Sequence, residues 1–331
     1  MKVLDKLTNK NISFKNRVIM PPMATAKADD NGHITEDILD YYEEKTKNKL
    51  FAAVIVEHSF VDKSGKASKN QTSIADDSDV DGLSKLVNLI HENGSLAIAQ
   101  LSHAGSSTSE AITGQVPLGP SAITNPSNPK ADLPKEMSKE EIEDIVNKFV
   151  EAARRAKEAG FDGVEIHSAH GYLLNQFLSP LTNKRTDEYG GDIYGRIKIH
   201  LEIIRKIREN LGDSYPIFLR LGAGDNREDG LSIDDAVKAS KEFENAGVDV
   251  LDISGGMCLF MIEDQRPGFF DNLSKPIFDR VSVPVILTGG VKAGKDIEDI
   301  LQKNVCDLVG VGRSVFKDSS WMEKEVLPFY R

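Results

Sequence analysis

Apolar residues recur along the chain in short unbroken runs, each followed by a longer stretch in which apolar positions fall three and four residues apart. The runs lie at 18–20, 53–57, 96–100, 163–167, 217–221, 250–254, 285–288 and 308–311. The intervening stretches with helical spacing cover 35–48, 80–92, 138–159, 193–210, 232–246, 273–280 and 294–302, and a last one begins at Ser314. A run without polar alternation reads as a strand buried on both faces, as parallel strands are. Eight strand–helix units in 331 residues predict an α/β fold, a (β/α)8 TIM barrel. No linker interrupts the spacing, so one domain over 1–331 is expected. Residues 3–14 alternate apolar and polar around Thr8-Asn9-Lys10-Asn11. This predicts a hairpin, expected to close the bottom of the barrel. Thr35 stands where an N-cap belongs.

Two connections exceed what a connector needs. Residues 103–137 are rich in Gly, Ser, Pro and Asn, and residues 255–272 contain Met257, Phe260, Met261, Phe269 and Phe270. Long loops in compact domains are usually functional. Both leave the C-terminal ends of strands, the face where barrels place their chemistry. The same face is expected to gather Pro22, Met23, Ala24 and Thr25 after strand one, Glu57 on strand two and Gln100 on strand three. Strand four supplies His167, with His170 and Tyr172 just beyond it, while Arg220 ends strand five and Ser254 strand six. Two imidazoles and a phenol within six residues offer donors that polarise an oxygen and a weak acid that gives a proton.

Strand seven runs into Gly289-Gly290, and strand eight into Gly312-Arg313. Barrels frequently bind phosphate with the loops after these two strands. Glycine lets the backbone approach the anion, and arginine adds a forked cation. Spacing alone leaves two readings open. One is flavin mononucleotide beside the polar mouth; the other is a sugar phosphate, as in an aldolase or isomerase.

Composition narrows the partners. A net charge of −11 excludes the basic face that nucleic acid or an anionic membrane surface requires. No apolar run approaches the roughly 20 residues of a membrane span, and 1–11 lacks the apolar core of a signal peptide. Two cysteines, Cys258 and Cys306, are too few for a four-thiolate cluster, and no metal site is expected. A cytoplasmic setting, with redox chemistry carried by a bound organic cofactor, is the expectation.

The segment GVEIHSAHGYLLNQFLSPLTNKRTDEYGG (163–191) resembles the Old Yellow Enzyme family of flavin-dependent ene-reductases. NRVIMPPM (16–23), AQLSHAG (99–105), FLRLGAGD (218–225), LTGGV and GVGR support the resemblance in the right order. It implies non-covalent FMN, NADH or NADPH as co-substrate, and an electron-poor alkene as the molecule reduced. Gln100 would meet the pyrimidine edge of the flavin, and Arg220 its N1 and O2. Gly290, Gly312 and Arg313 would hold the phosphate. His167 and His170 would hold the substrate oxygen, and Tyr172 would donate the proton. Ala24 departs from the Cys or Thr many relatives carry beside the flavin, and Tyr194-Gly195-Arg196 departs from the commoner Glu-Asn-Arg. The chain ends at Arg331 without the iron–sulfur segment of the dienoyl-CoA reductases, so electrons are expected directly from the nicotinamide. Relatives range from monomers to tetramers, so a homo-oligomer is compatible.

Overall fold

A computed structural model describes residues 2–330. The apolar runs become eight strands: β1 Val18–Met20, β2 Ala53–Phe60, β3 Leu96–Ser102, β4 Gly163–Ser168, β5 Ile217–Gly222, β6 Val250–Ser254, β7 Val285–Thr288 and β8 Leu308–Gly310. Every neighbouring pair is parallel, and β8 pairs back onto β1 to close a barrel in chain order. The predicted (β/α)8 fold is therefore present. The register is what matters for the site. Gln100 lies opposite Glu165, His167 opposite Arg220, and Arg220 opposite Asp252. Two adjoining registers of the barrel thus receive all these polar side chains.

The outer layer contains α1 Glu36–Thr46, α2 Val80–Glu92, α3 Lys139–Glu158, α4 Lys198–Leu211, α5 Ile233–Ala246, α6 Asp271–Phe278 and α7 Gly294–Gln302. α3 shows how local chemistry fixes such a boundary. Ser138 and Glu141 form a reciprocal capping box, and Ile142, Ile145, Val146, Phe149 and Ala153 make the buried stripe. Two helix expectations hold in part. Thr35 sits at the N-cap of α1 but makes no capping bond, because its hydroxyl donates to the Lys27 carbonyl instead. The single helix expected over 193–210 is divided into Ile193–Arg196 and α4, with Ile197 between them.

The predicted hairpin is real, with Leu7–Thr8 paired antiparallel to Ser13–Phe14. It delivers Ile12 and Phe14 into the bottom of the barrel, where they pack with Ile19, Ile55, Ile98, Phe218, Val250, Ile286 and Leu308. Phe14 meets Phe218 edge to face, 6.3 Å between ring centroids. The plug fills the barrel from below, opposite the C-terminal ends of the strands.

The long connection after β3 folds as a short helix Glu110–Thr113 and a two-residue strand pair, Leu118–Gly119 with Lys135–Glu136. A further short helix, Leu173–Leu178, follows β4. No helix among the described residues is long and apolar enough to cross a membrane. The plug yields a test: Phe14→Ala should lower unfolding free energy by about 3–5 kcal/mol, read from urea denaturation. A loss below about 1 kcal/mol would show that Phe14 does not seal the barrel.

Candidate active site

The C-terminal rim surrounds a cavity of about 590 Å³, within the range typical of cofactor pockets. The predicted residues Pro22, Met23, Ala24, Gln100, His167, His170, Tyr172, Arg220, Ser254, Gly289, Gly290, Gly312 and Arg313 all line it. Thr25 and Glu57, expected in the same set, do not. The Glu57 carboxylate accepts from the Thr25 N–H at 2.9 Å and the Thr25 hydroxyl at 2.7 Å. That exchange ties the loop after β1 to the end of β2 and leaves neither side chain free for a ligand. Burial pushes the Glu57 carboxyl up to about 7 against these two bonds.

The catalytic-looking trio stands on a turn with an unusual backbone. His170 and Gly171 both adopt positive φ, +59° and +72°, which costs energy at the histidine unless the surroundings hold it. They do. The Gly171 carbonyl accepts from Ser107, Asn125 and Gln176, and its N–H donates to Asn175. A Cβ at 171 would lie 2.6 Å from the Ser127 hydroxyl. Ser107, Asn125 and Ser127 belong to the long connection after β3, so that loop is a clamp on this turn. Beyond the turn, His170 Nε2 pairs with the Ser254 hydroxyl at 2.8 Å.

The rings crowd together. His167 lies 5.2 Å from His170 and 5.0 Å from Tyr172, centroid to centroid. Desolvation holds both imidazoles well below their ordinary pKa, reinforced by each other's proximity at His167 and by Arg220 at both. They are therefore neutral hydrogen-bond donors at pH 7. Desolvation pushes the Tyr172 phenol up to about 12, so it carries its proton.

Sequence reasoning missed His58. It lines the cavity because β2 carries a bulge between Val56 and Ser59, where one extra residue faces β3. Bulges re-aim side chains beside active sites, and a continuous apolar run gives no sign of one. Pro21, Leu259, Thr288, Val291, Gly310 and Phe316 were also missed as lining residues, while Phe260 and Phe269 of the long loop 255–272 line it too. The apolar residues of 255–272 are divided. Phe269 and Phe270 are buried against the barrel, while Phe260 is 53% exposed and reaches His170 at 5.8 Å.

Below the cavity lies a polar layer. Gln100 Nε2 donates to Glu165 at 2.6 Å, and Arg220 Nε lies 3.3 Å from an Asp252 carboxylate oxygen. Glu165 and Asp252 are fully buried. Desolvation raises both carboxyls; the neighbouring Asp252 charge adds to it at Glu165, and the Arg220 charge opposes it at both. Arg220 is itself buried, and Asp252 is its ion-pair partner. Its Nε and the Thr288 hydroxyl, both buried, find no hydrogen-bond partner among the described residues.

These orphans bear on what the cavity holds. A buried guanidinium without hydrogen-bonded partners needs an acceptor-rich group above it. At the far side, a Cβ on Gly290 would come within 2.1 Å of the Arg266 carbonyl, and one on Gly310 within 1.9 Å of the Thr288 hydroxyl. These positions admit only glycine and leave backbone to face an anion. Arg313 sits there too, bonded to Gln265 at 2.6 Å and stacked 5.8 Å from Phe269. A polyol-phosphate with a polar ring at its other end fits this layout, as FMN does.

The chain belongs to the NADH:flavin oxidoreductase / NADH oxidase family, whose pattern it matches over residues 4–326. The fold is thus that of an FMN oxidoreductase. It is 37% identical to the NADH oxidase of Thermoanaerobacter brockii over 321 residues, which are 95% of this chain and 49% of that protein. Among solved structures, a 2-naphthoyl-CoA reductase in complex with 2-naphthoyl-CoA superposes with a TM-score of 0.90 at 26% identity, covering 99% of this chain and 52% of that one. Morphinone reductase in complex with tetrahydroNAD gives a TM-score of 0.83 at 26% identity, covering 99% and 91%. The Old Yellow Enzyme homologue of Zymomonas mobilis shares the fold at a TM-score of 0.84. The chain spans about half the length of the curated relative it matches. No lysine lines the cavity among the described residues, and with the family shown the aldolase or isomerase reading is set aside.

The buried carboxyl beneath the site gives a pH test. A carboxyl whose pKa is raised on folding keeps its proton while the unfolded chain has lost its own. Its stabilising contribution is therefore complete below the unfolded value of 4.5 and declines as pH rises. Buried neutral histidines contribute with the opposite sign, so the informative quantity is a difference. Glu165→Gln should gain stability relative to wild type as pH is raised from about 5 to about 8, followed by melting temperature. A gap that stays constant or moves the other way would refute a protonated Glu165.

Proposed function

We propose that this barrel is an FMN-dependent ene-reductase that uses NADH or NADPH to reduce an activated C=C bond. The observation that carries it is the grouping of Tyr172 with two neutral imidazoles, His167 and His170, in the cavity above Arg220. In this reading Gln100 and Arg220 hold the pyrimidine edge of FMN, and Gly289, Gly290, Gly312 and Arg313 its phosphate. Pro22, Met23, Ala24 and Ser254 complete the walls. FMN, when bound, supplies the hydride-transfer chemistry between nicotinamide and alkene.

The protein's own groups supply the rest. His167 and His170 donate to the carbonyl or nitro oxygen of the substrate and stabilise the negative charge that develops there. Being neutral, they add donors without a proton that could be lost to that oxygen. Tyr172 delivers its proton to the α-carbon. A phenol at about 12 does not ionise before substrate arrives, so the acid is ready in every turnover. Arg220 sets a fixed positive charge at the edge where a reduced flavin is anionic.

A 2-naphthoyl-CoA reductase superposes on 99% of this chain, which favours including CoA thioesters among the substrates tried beside enones, enoates and nitroalkenes. Whether the protein works as a homo-oligomer follows from its mass in solution. Cys258 and Cys306 are both free thiols, which agrees with a cytoplasmic setting.

Anaerobic NADH should bleach the flavin bands of the purified protein, and an enone should restore them. Tyr172→Phe should slow the second step by about 10²–10⁴-fold and leave the first near normal, as stopped-flow absorbance reads it. Equal loss of both steps would remove Tyr172 from the role of proton donor.

A further inference from the structure

His58 is held in one tautomer, with its ring packed against that of Tyr172. Gln71 fixes the tautomer, since its Oε1 accepts from the Ala67 N–H at 2.6 Å. The amide orientation is thereby set, and Gln71 Nε2 points at His58 Nδ1, also at 2.6 Å. Nδ1 is therefore an acceptor, and in the neutral ring the proton resides on Nε2. Nε2 forms no hydrogen bond with the protein among the described residues, although the ring lines the cavity. His58 stands edge-on to Tyr172, 5.5 Å between centroids at 70°, and 6.3 Å from His167. A second group, the Ser102 hydroxyl, approaches Nδ1 at 3.5 Å on the protein side of the ring.

The consequence concerns what Tyr172 leaves behind. When it protonates the α-carbon, its O–H bond breaks and the electron pair stays on the phenol oxygen. The enolate pair forms the new C–H bond, and the carbonyl reforms at the oxygen held by His167 and His170. A tyrosinate in this desolvated place is costly, and the two other imidazoles are committed to the substrate.

We propose that His58 is a positioning residue for Tyr172, its Nε2–H turned to the phenol oxygen to receive the charge left by proton transfer. This rests on the reading of Tyr172 as proton donor. Burial and the Arg220 charge hold His58 down to about 4, so it acts as a neutral donor that neither competes for the proton nor repels Arg220.

The experiment is a double-mutant cycle on the FMN-loaded protein, reduced with NADH and reoxidised by 2-cyclohexenone. His58→Phe should slow reoxidation roughly 10–100-fold, the range expected for a hydrogen bond to a charged group. In a Tyr172→Phe background the same change should cost less than about twofold, because the charge it serves is gone. His58→Gln, which keeps an N–H donor, should recover most of the rate. The second measurement needs neither flavin nor turnover. Nitrogen NMR of the flavin-free protein should show His58 protonated on Nε2 alone, and a mixture of tautomers in Gln71→Leu. Equal slowing by His58→Phe in both backgrounds, or a wild-type His58 protonated on Nδ1, overturns the proposal. If Tyr172→Phe reoxidises slowly while His58→Phe is at the wild-type rate, the His58 inference falls alone. If Tyr172→Phe itself is at the wild-type rate, the reading of Tyr172 falls and takes the His58 inference with it.

Discussion

A closed barrel has no sheet edge, and its interior must be filled from the inside by its own strands. Here the filling changes character partway up. The lower part is sealed by Ile12 and Phe14 against apolar residues from seven of the eight strands. Above it the inward positions turn polar, with Gln100, Glu165, Arg220 and Asp252 at adjoining registers. A buried cation with a carboxylate only at 3.3 Å is a poor way to stabilise a core. Hydrophobic residues of similar volume would stabilise it more. The layer makes sense as the floor of a site whose ceiling is a ligand, and the rest of the mouth is arranged around that floor.

The floor also governs the chemistry above it. Arg220 lowers the proton affinity of His58, His167 and His170 through space, although desolvation is the larger cause at each. The result is a mouth with several N–H donors and a single fixed positive charge beneath them. Such a mouth stabilises negative charge that appears during reaction, on a substrate oxygen or on a flavin, without carrying mobile protons of its own. In the proposed reaction the proton that is given belongs to Tyr172. Separating donors that hold from the acid that gives is what lets a phenol act where a protonated imidazole would simply lose its proton to the oxygen.

Most of the architecture was legible because it rests on periodicity. Parallel strands buried on both faces read as unbroken apolar runs, and the barrel order follows from chain order. The rim residues at strand ends followed from counting, and the glycines at 289, 290 and 312 stood where a phosphate loop belongs. What sequence concealed has a common cause: it depends on one residue's offset or on contacts between distant segments. The bulge in β2 shifts the register by one residue and turns His58 inward, yet Val-Glu-His-Ser-Phe reads as an ordinary strand end. Thr25 and Glu57 looked like rim donors and instead satisfy each other. The roles of individual rim residues came from family resemblance, and spacing alone left a sugar-phosphate barrel open.

The long connection after β3 shows how the two kinds of information meet. Its length and its Ser, Asn and Gly content mark it as more than a connector, but not what it does. The structure shows two of its side chains, Ser107 and Asn125, donating to a single carbonyl at Gly171 in the turn 169–172, while Ser127 packs against Gly171 and donates to the Met257 carbonyl. Because His170 holds a positive φ, that turn is strained and would relax without its clamp. Relaxation would move His170 and Tyr172 together, since they flank Gly171. The loop therefore keeps His170 and Tyr172 at a fixed separation over the polar floor, and in the proposed reaction it would serve catalysis without touching substrate.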